Sequence, residues 1–315
     1  MFRGSMREFS AEMLGTFVLM VFGLGVNAQV TLGKSTAWVA AGGHEGAQVE
    51  LTQYAYGDYL SINLGWGVAV LLGVYVAGGV TGAHINPAVT VALAVRRQLP
   101  WSKVIPYVSA QMLGAFLASA VIYAVYVESI NVVEAGIPHV VQASQELEPP
   151  LPQQAAASAP GHQISTAGIW ATYPREFPGG TLSNWTGLVD QIVATALLLL
   201  CICAIGDARN LAPGANLAPL AIGSIVFMIG ISFGSNCGYA INPARDFSPR
   251  LFTWMAGWGN QVFLHPNNLW YLVPIVGPIV GGILGVLAYD LLISRFHDTR
   301  GQEGGPQDLV PEEQE

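Results

Sequence analysis

The sequence predicts an all-α membrane protein in which six transmembrane helices and two re-entrant half-helices form an inverted repeat. Three observations carry that prediction. Charged residues make up only 10% of the 315, where soluble domains carry about 25%. Six apolar segments are long enough to cross a bilayer. Two further apolar segments are too short to cross, and each begins with Asn-Pro-Ala.

Crossing the hydrocarbon core takes about 20 mainly apolar residues in a helix. The segments 8–29, 60–80, 104–127, 187–206, 216–236 and 269–293 meet that length. Arg3 and Arg7 lead straight into the first, which reads as a span rather than a cleavable signal peptide. Between the second and third spans lies 86–96, and between the fifth and sixth lies 242–254. A helix of about 11 residues rises on the order of 16 Å, half of a ~30 Å core. Each short segment therefore suits a half-helix that enters the membrane and returns on the same side.

The half-helices open on matched sequences. The first is Gly82-Ala83-His84-Ile85-Asn86-Pro87-Ala88-Val89-Thr90, the second Gly238-Tyr239-Ala240-Ile241-Asn242-Pro243-Ala244-Arg245-Asp246. Asn is a preferred N-cap, and Pro fits the first helical position, where a missing N–H costs nothing. A lone box could cap any helix; a matched pair behind apolar runs points to two helix starts at the membrane midplane. Each start carries a partial charge of roughly +0.5. Asn86 and Asn242 are expected to cap these ends and leave their NH2 groups free to donate into a lumen. Unwound backbone at membrane depth is tolerated where protein buries it or where it lines a water-filled cavity. Gly78, Gly79, Gly82 and Ala83 before the first box, and Gly234, Ser235 and Gly238 before the second, permit that close approach. These small residues also suit plain helix packing.

Two internal checks agree. Glu12-Met13-Leu14-Gly15-Thr16 aligns with Gln191-Ile192-Val193-Ala194-Thr195, and Gln111-Met112-Leu113-Gly114-Ala115 with Pro278-Ile279-Val280-Gly281-Gly282. The repeats run from about 8 to 127 and from about 187 to 293, with three spans each. An odd number turns the second half upside down and places the working site near the midplane. With both termini cytoplasmic, Arg3, Arg7, Arg96, Arg97, Lys103, Arg209, Arg295 and Arg300 fall inside. Lys34 and Arg175, with Arg245 and Arg250 of the second half-helix, fall on the outer side. That is the positive-inside bias.

At these residues the chain resembles the major intrinsic protein family, in its glycerol-conducting aquaglyceroporin branch. The likeness rests on both boxes, on Arg245-Asp246, and on Ala11-Glu12-Met13-Leu14-Gly15-Thr16. It extends to Ala171-Thr172-Tyr173-Pro174 and Ala256-Gly257-Trp258-Gly259. It implies a passive channel for glycerol and water, with urea and other small uncharged solutes, working without a cofactor as a homotetramer in the plasma membrane. It implies pore-lining carbonyls at Gly82, Ala83, His84, Gly238, Tyr239 and Ala240. It implies a selectivity filter at Trp66, Gly230, Tyr239 and Arg245. Glu12 and Gln191 would brace the two pore loops; the family often has Glu at both positions, so Gln191 predicts a looser second loop. Asp246 would orient the outer loop.

The filter residues suit a polyol. Arg245, expensive in an apolar region unless it faces water and acceptors, can donate paired hydrogen bonds to adjacent hydroxyls. Trp66 and Tyr239 offer flat apolar faces to C–H groups, and Gly230 leaves space for them. Plainer roles exist: Trp66 as an interfacial aromatic, Gly230 as a packing glycine, His84 as a structural residue with a lumen-facing carbonyl. A strict water channel of the same fold is the alternative, against which Gly230, Tyr239 and Asp246 argue. An ion-coupled transporter usually carries mid-membrane acids; only Glu12 and Asp190 are candidates, and both lie near span ends.

The whole chain, 1–315, reads as one channel domain, with a long outer loop at 128–186 and an acidic, disordered tail at 295–315. Glu148 to Pro160 is Pro/Ala/Gln-rich and reads as disordered. The chain's net charge is −8; the tail is rich in Asp and Glu with few basic residues, and the apolar body is close to neutral. No basic cluster suggests nucleic acid. Cys201, Cys203 and Cys237 have no zinc or disulfide spacing, and Cys237 is expected at the outer mouth, open to mercurials. No metal cluster, nucleophile–base pair or phosphate loop occurs in the apolar body, so no catalytic residue is assigned. Asn184-Trp185-Thr186 is a sequon on the outer side.

Overall fold

The computed structural model describes residues 2–33, 35–39, 50–54, 56–135 and 162–300. In chain order these form α1 (Phe2–Leu32), a hairpin of β1 (Ser35–Val39) and β2 (Glu50–Tyr54), α2 (Tyr59–Thr81), α3 (Pro87–Val95) and α4 (Val104–Glu134). There follow α5 (Ile164–Ala167), a second hairpin of β3 (Glu176–Phe177) and β4 (Gly180–Thr181), α6 (Asn184–Gly206) and α7 (Ala218–Cys237). The chain continues with α8 (Pro243–Thr253), α9 (Gln261–Leu264), α10 (Val273–Tyr289) and α11 (Arg295–Arg300). Both hairpins are antiparallel, with Ser35 opposite Tyr54 and Glu176 opposite Thr181.

α1, α2, α4, α6, α7 and α10 with its flanking turns are long and apolar enough to cross a membrane. α3 and α8, of 9 and 11 residues, are the half-helices. The ends of the long helices are set by local chemistry. Asp58 caps α2 by accepting from the Ser61 N–H at 3.0 Å, while the Ser61 hydroxyl accepts from the Asp58 N–H at 2.7 Å. Ser183 caps α6 by accepting from the Thr186 N–H at 3.1 Å. The helices that precede the boxes stop in the same way: Gly82 (φ 78°) and Gly238 (φ 77°) are left-handed, and their N–H groups close onto Gly78 and Gly234.

Two sequence boundaries change. Residues 128–134, assigned to the outer loop, continue α4; hydropathy falls there, but Glu134 keeps the last turn useful by binding Gln163 and Thr166. The rest of that loop, where described, is ordered as α5, β3 and β4. The tail, read as disordered from 295, begins as α11. The stretch 148–160 and residues 301–315 lie outside the described residues.

The inverted repeat is visible in the packing. α1 lies on α4 as α6 lies on α10, and α2 meets α7 across the halves. Gly114 of α4 lies so close to α1 that a Cβ would sit 2.2 Å from the Met13 carbonyl. Its repeat counterpart, Gly281 of α10, would bring one 2.3 Å from the carbonyl of Ile192, the counterpart of Met13. Each half-helix packs against the last span of the other half, α3 on α10 and α8 on α4. This exchange holds the two halves together around one centre.

Candidate functional site in the pore loops

The two pore loops share an unusual backbone. In the first, Gly82, Ala83 and Ile85 have φ of 78°, 54° and 43°; in the second, Gly238, Tyr239 and Ile241 have φ of 77°, 33° and 43°. Left-handed backbone costs a non-glycine residue roughly 1–2 kcal/mol, and for a β-branched Ile it is an outlier. Such strain persists only where the surroundings over-determine it.

Glu12 over-determines the first loop. One carboxylate oxygen accepts from the His84 N–H at 3.0 Å and the Thr81 hydroxyl at 2.5 Å; the other accepts from the Ile85 N–H at 2.7 Å and Gln111 at 2.8 Å. The Thr81 hydroxyl also accepts from the Ala83 N–H at 3.0 Å, and His84 Nδ1 meets the Thr90 hydroxyl at 3.1 Å. In the second loop the Gln191 side chain accepts, among the described residues, from the Ile241 N–H at 2.9 Å, and its amide donates to Cys237 Sγ at 3.2 Å. Asp190 beside it accepts from Asn236 at 2.8 Å. The second loop thus has two weaker braces where the first has one strong one.

The half-helix starts meet through these loops. Asn86 caps α3 by accepting from the Ala88 N–H at 2.8 Å, and Asn242 caps α8 by accepting from Ala244 at 3.0 Å and Arg245 at 3.3 Å. Pro87 and Pro243 occupy the first helical positions, with Ala88 and Ala244 fully buried behind them. The sequence left both NH2 groups free. Instead, Asn86 donates to the Ile241 carbonyl at 2.8 Å and Asn242 to the Ile85 carbonyl at 2.9 Å. The left-handed isoleucines turn these carbonyls toward the opposite cap. A primary amide has two donor hydrogens, so one remains on each Asn.

A cavity of about 100 Å³ runs past both asparagines. Much of its lining is aliphatic, with Leu19, Val70, Val74, Val89, Leu93, Leu198, Ile202, Ile222 and Val226. The loops at Gly82–Asn86 and Tyr239–Asn242 also line it. Gly238 is not part of the lining; it packs on Thr172. Trp66 and Arg245 lie together on the cavity wall, the guanidinium 4.2 Å from the indole centroid. Arg245 also donates to the Trp170 carbonyl at 3.2 Å.

Gly230 acts differently from the open space the sequence suggested. It does not line the cavity, and a Cβ there would lie 2.5 Å from Asn63 Oδ1 and 2.7 Å from Tyr239 Cζ. The missing side chain is the seat of the Tyr239 ring. Cys237 is also reassigned. It is 2% exposed, packed with Trp270 and Val273 and bonded to Asp190 and Gln191, off the cavity wall. Its neighbours follow from α7 ending at that residue, which turns its side chain back toward α6.

Asp246 accepts from the Thr172 N–H at 2.7 Å and hydroxyl at 2.5 Å, and pairs with Arg250 at 2.9 Å, both side chains fully buried. Arg250 donates onward to the Thr172 and Val262 carbonyls. Asn184 of the sequon opens α6 and exchanges hydrogen bonds with Asn267 at 2.9 and 3.1 Å. The sequence reading passed over Asn27, Asn63, Thr81, Gln111, Trp170, Thr172 and Arg250 as parts of this site. Gln111 had a signal, a polar residue within an apolar span; Trp170 acts through its carbonyl and had none.

A family model described as "Major intrinsic protein" matches residues 3–289. Human aquaporin-9 is 38% identical over 291 residues, covering 92% of this chain and 84% of that one. Mouse aquaporin-7 is 39% identical over 287 residues, covering 91% and 80%. Aquaporin-10 of Milnesium tardigradum is 40% identical over 304 residues; the match covers 93% of this chain and 64% of the length of that relative. The X-ray structure of the aquaglyceroporin from Plasmodium falciparum superposes with a TM-score of 0.69 at 28% identity, covering 94% of this chain and 99% of that one.

Proposed function

Since this chain belongs to the major intrinsic protein family, we propose that it is a passive channel for glycerol and water. It is an integral membrane protein. The observation that carries the reading is the mixed lining of the cavity: aliphatic side chains together with the pore loops, their two amide donors and Arg245. Glycerol is likewise mixed, with a C–H edge and a hydroxyl edge. Its hydroxyls take hydrogen bonds from Arg245, Asn86 and Asn242 and donate to loop carbonyls. Its C–H groups slide along Trp66, Tyr239 and the aliphatic lining. Trp66, Gly230, Tyr239 and Arg245 together set the width and polarity of the narrowest part.

Protons and cations are excluded by charge. Two helix N-termini face the middle of the path, each with a partial charge of roughly +0.5, and Arg245 adds a fixed charge. A water between Asn86 and Asn242 accepts from both and so breaks a proton wire. The protein resides in the plasma membrane as a homotetramer with both termini cytoplasmic. On that orientation Lys103 paired to Glu8 at 2.8 Å, and Arg96 paired to Asp290 at 2.6 Å, lie at the inner face.

Permeability of the purified protein in liposomes tests the reading, with glycerol, urea and water measured side by side. Fast flux of glycerol and water, independent of any ion gradient, is expected. Water flux without glycerol flux would make it a strict water channel. Glycerol flux that follows a proton gradient would make it a transporter.

A further inference from the structure

Asn27 stands apart from the family's boxes, 7% exposed near the end of α1. Its Oδ1 accepts from the Trp66 indole N–H at 3.0 Å, and its Nδ2 donates to the Ile169 carbonyl at 3.0 Å. The next residue, Trp170, offers its carbonyl to Arg245 at 3.2 Å, and Arg245 lies 4.2 Å from the centroid of the Trp66 ring. These contacts close a circuit: Trp66, Asn27, Ile169, Trp170, Arg245 and back to Trp66. One turn before Asn27, Gly23 supplies the floor. A Cβ there would fall 2.4 to 2.6 Å from three atoms of the Trp66 six-membered ring. Residues four apart share a helix face, so one face of α1 both seats the indole and bonds its N–H.

We propose that Asn27 is a positioning residue that sets the selectivity of the constriction through Trp66. Resting on the channel reading above, the inference adds a part of the machinery that never touches solute. An indole has one polar hydrogen. Bonded to Asn27, that hydrogen is turned away from the path, and the ring presents only its apolar face. Of the Trp66–Arg245 pair, only Arg245 then offers donors to solute. Without Asn27 the indole N–H is unpaired in a buried site, where an unmade hydrogen bond is costly. The ring then turns to reach water in the path, and the apolar face that meets the C–H edge of a polyol is lost. Water, which needs no such face, is affected less.

The test compares glycerol-to-water permeability ratios in liposomes for the full-length wild type, Asn27→Leu, Trp66→Phe and the double variant. Asn27→Leu should lower the ratio about fivefold, the size of one net hydrogen bond. The double variant should keep more of the ratio than the product of the two single losses, because both remove one interaction. An unchanged ratio in Asn27→Leu, or multiplicative losses, would overturn the proposal. A second measurement needs no flux and no variant at Asn27. The indole N–H resonance of Trp66, assigned by its loss in Trp66→Phe, should show a bonded shift and slow exchange in lipid nanodiscs. Rapid exchange of that N–H with water would also overturn it. A wild type that conducts neither solute, yet shows the bonded indole, would sink the channel reading and, with it, the selectivity role of Asn27, while leaving the contact itself standing.

Discussion

Asn86 donates its side-chain amide to the backbone carbonyl of Ile241, 155 residues away, at 2.8 Å. The reciprocal bond from Asn242 to Ile85 measures 2.9 Å. These two bonds join the halves of the repeat at the centre of the path. The accepting carbonyls belong to Ile85 and Ile241, the β-branched residue at positive φ in each loop. Replacing Asn86 by Asp keeps the acceptor for the Ala88 N–H and removes the donor. The variant is expected to lose about 1–3 kcal/mol, the cost of leaving a buried partner unsatisfied, and to admit cations. Thermal unfolding in detergent and conductance in planar bilayers read the two effects; a variant as stable and as cation-tight as wild type would contradict this account.

Gly230→Ala puts a methyl where Asn63 and the Tyr239 ring already sit, within 2.5 and 2.7 Å. Tyr239 must shift toward the path. Glycerol flux is expected to fall about fivefold or more, the scale of the 1–3 kcal/mol that overpacking costs, with water flux reduced less. Equal loss of both would show that the space behind Tyr239 does not control width.

The loop braces are unequal. Glu12 accepts four hydrogen bonds from Thr81, His84, Ile85 and Gln111, whereas Gln191 accepts one from Ile241. Hydrogen bonds to a charged group contribute about 1.5–3 kcal/mol and neutral ones about 0.5–1.5. Glu12→Gln should therefore lower the unfolding midpoint more than Gln191→Leu does. The reverse order would mean that Asp190 and Asn236 do little for the second loop.

Cys237 is 2% exposed and behind the wall, so a mercurial added outside should leave glycerol flux unchanged over minutes. Block that disappears in Cys237→Ser would place the thiol in the path and refute its assignment here.

Asp207 follows the last turn of α6 and accepts from the Arg209 side chain at 2.9 and 3.0 Å and from the Arg209 N–H at 3.1 Å. Tyr289 adds a hydroxyl at 3.0 Å. The Arg209 side chain, first of all, holds this carboxyl well below the usual carboxylate range. A carboxylate with a depressed folded pKa stabilises above its unfolded value, about 3.9, and that stability fades as pH falls through the folded value. The stability difference between wild type and Asp207→Asn should be constant from pH 7 to about 5 and shrink below about 4. A difference that grows on acidification would reverse the assigned sign.

How much of this was written in the chain depends on range. Segment length gave the spans, Asn86-Pro87 and Asn242-Pro243 gave the half-helix starts, and the matched pentapeptides gave the inversion. Each is a local signal, carried by hydropathy, a cap or a spacing, and survives in the sequence because the bilayer imposes length and composition directly. Arg245 was legible for the same reason: a fixed charge directly behind the second Asn-Pro-Ala box, at membrane depth, demands an explanation.

Tertiary structure alone decided the rest. Asn27 bonds Trp66 from 39 residues away and Ile169 from 142; Gly230 is shaped by Tyr239 and Asn63; Ile85 and Ile241 take left-handed backbone against their own preference. Nothing adjacent in sequence marks these residues. Their roles come from partners brought together by packing two inverted halves, and a side chain's local propensity cannot encode which distant carbonyl will need its hydrogen.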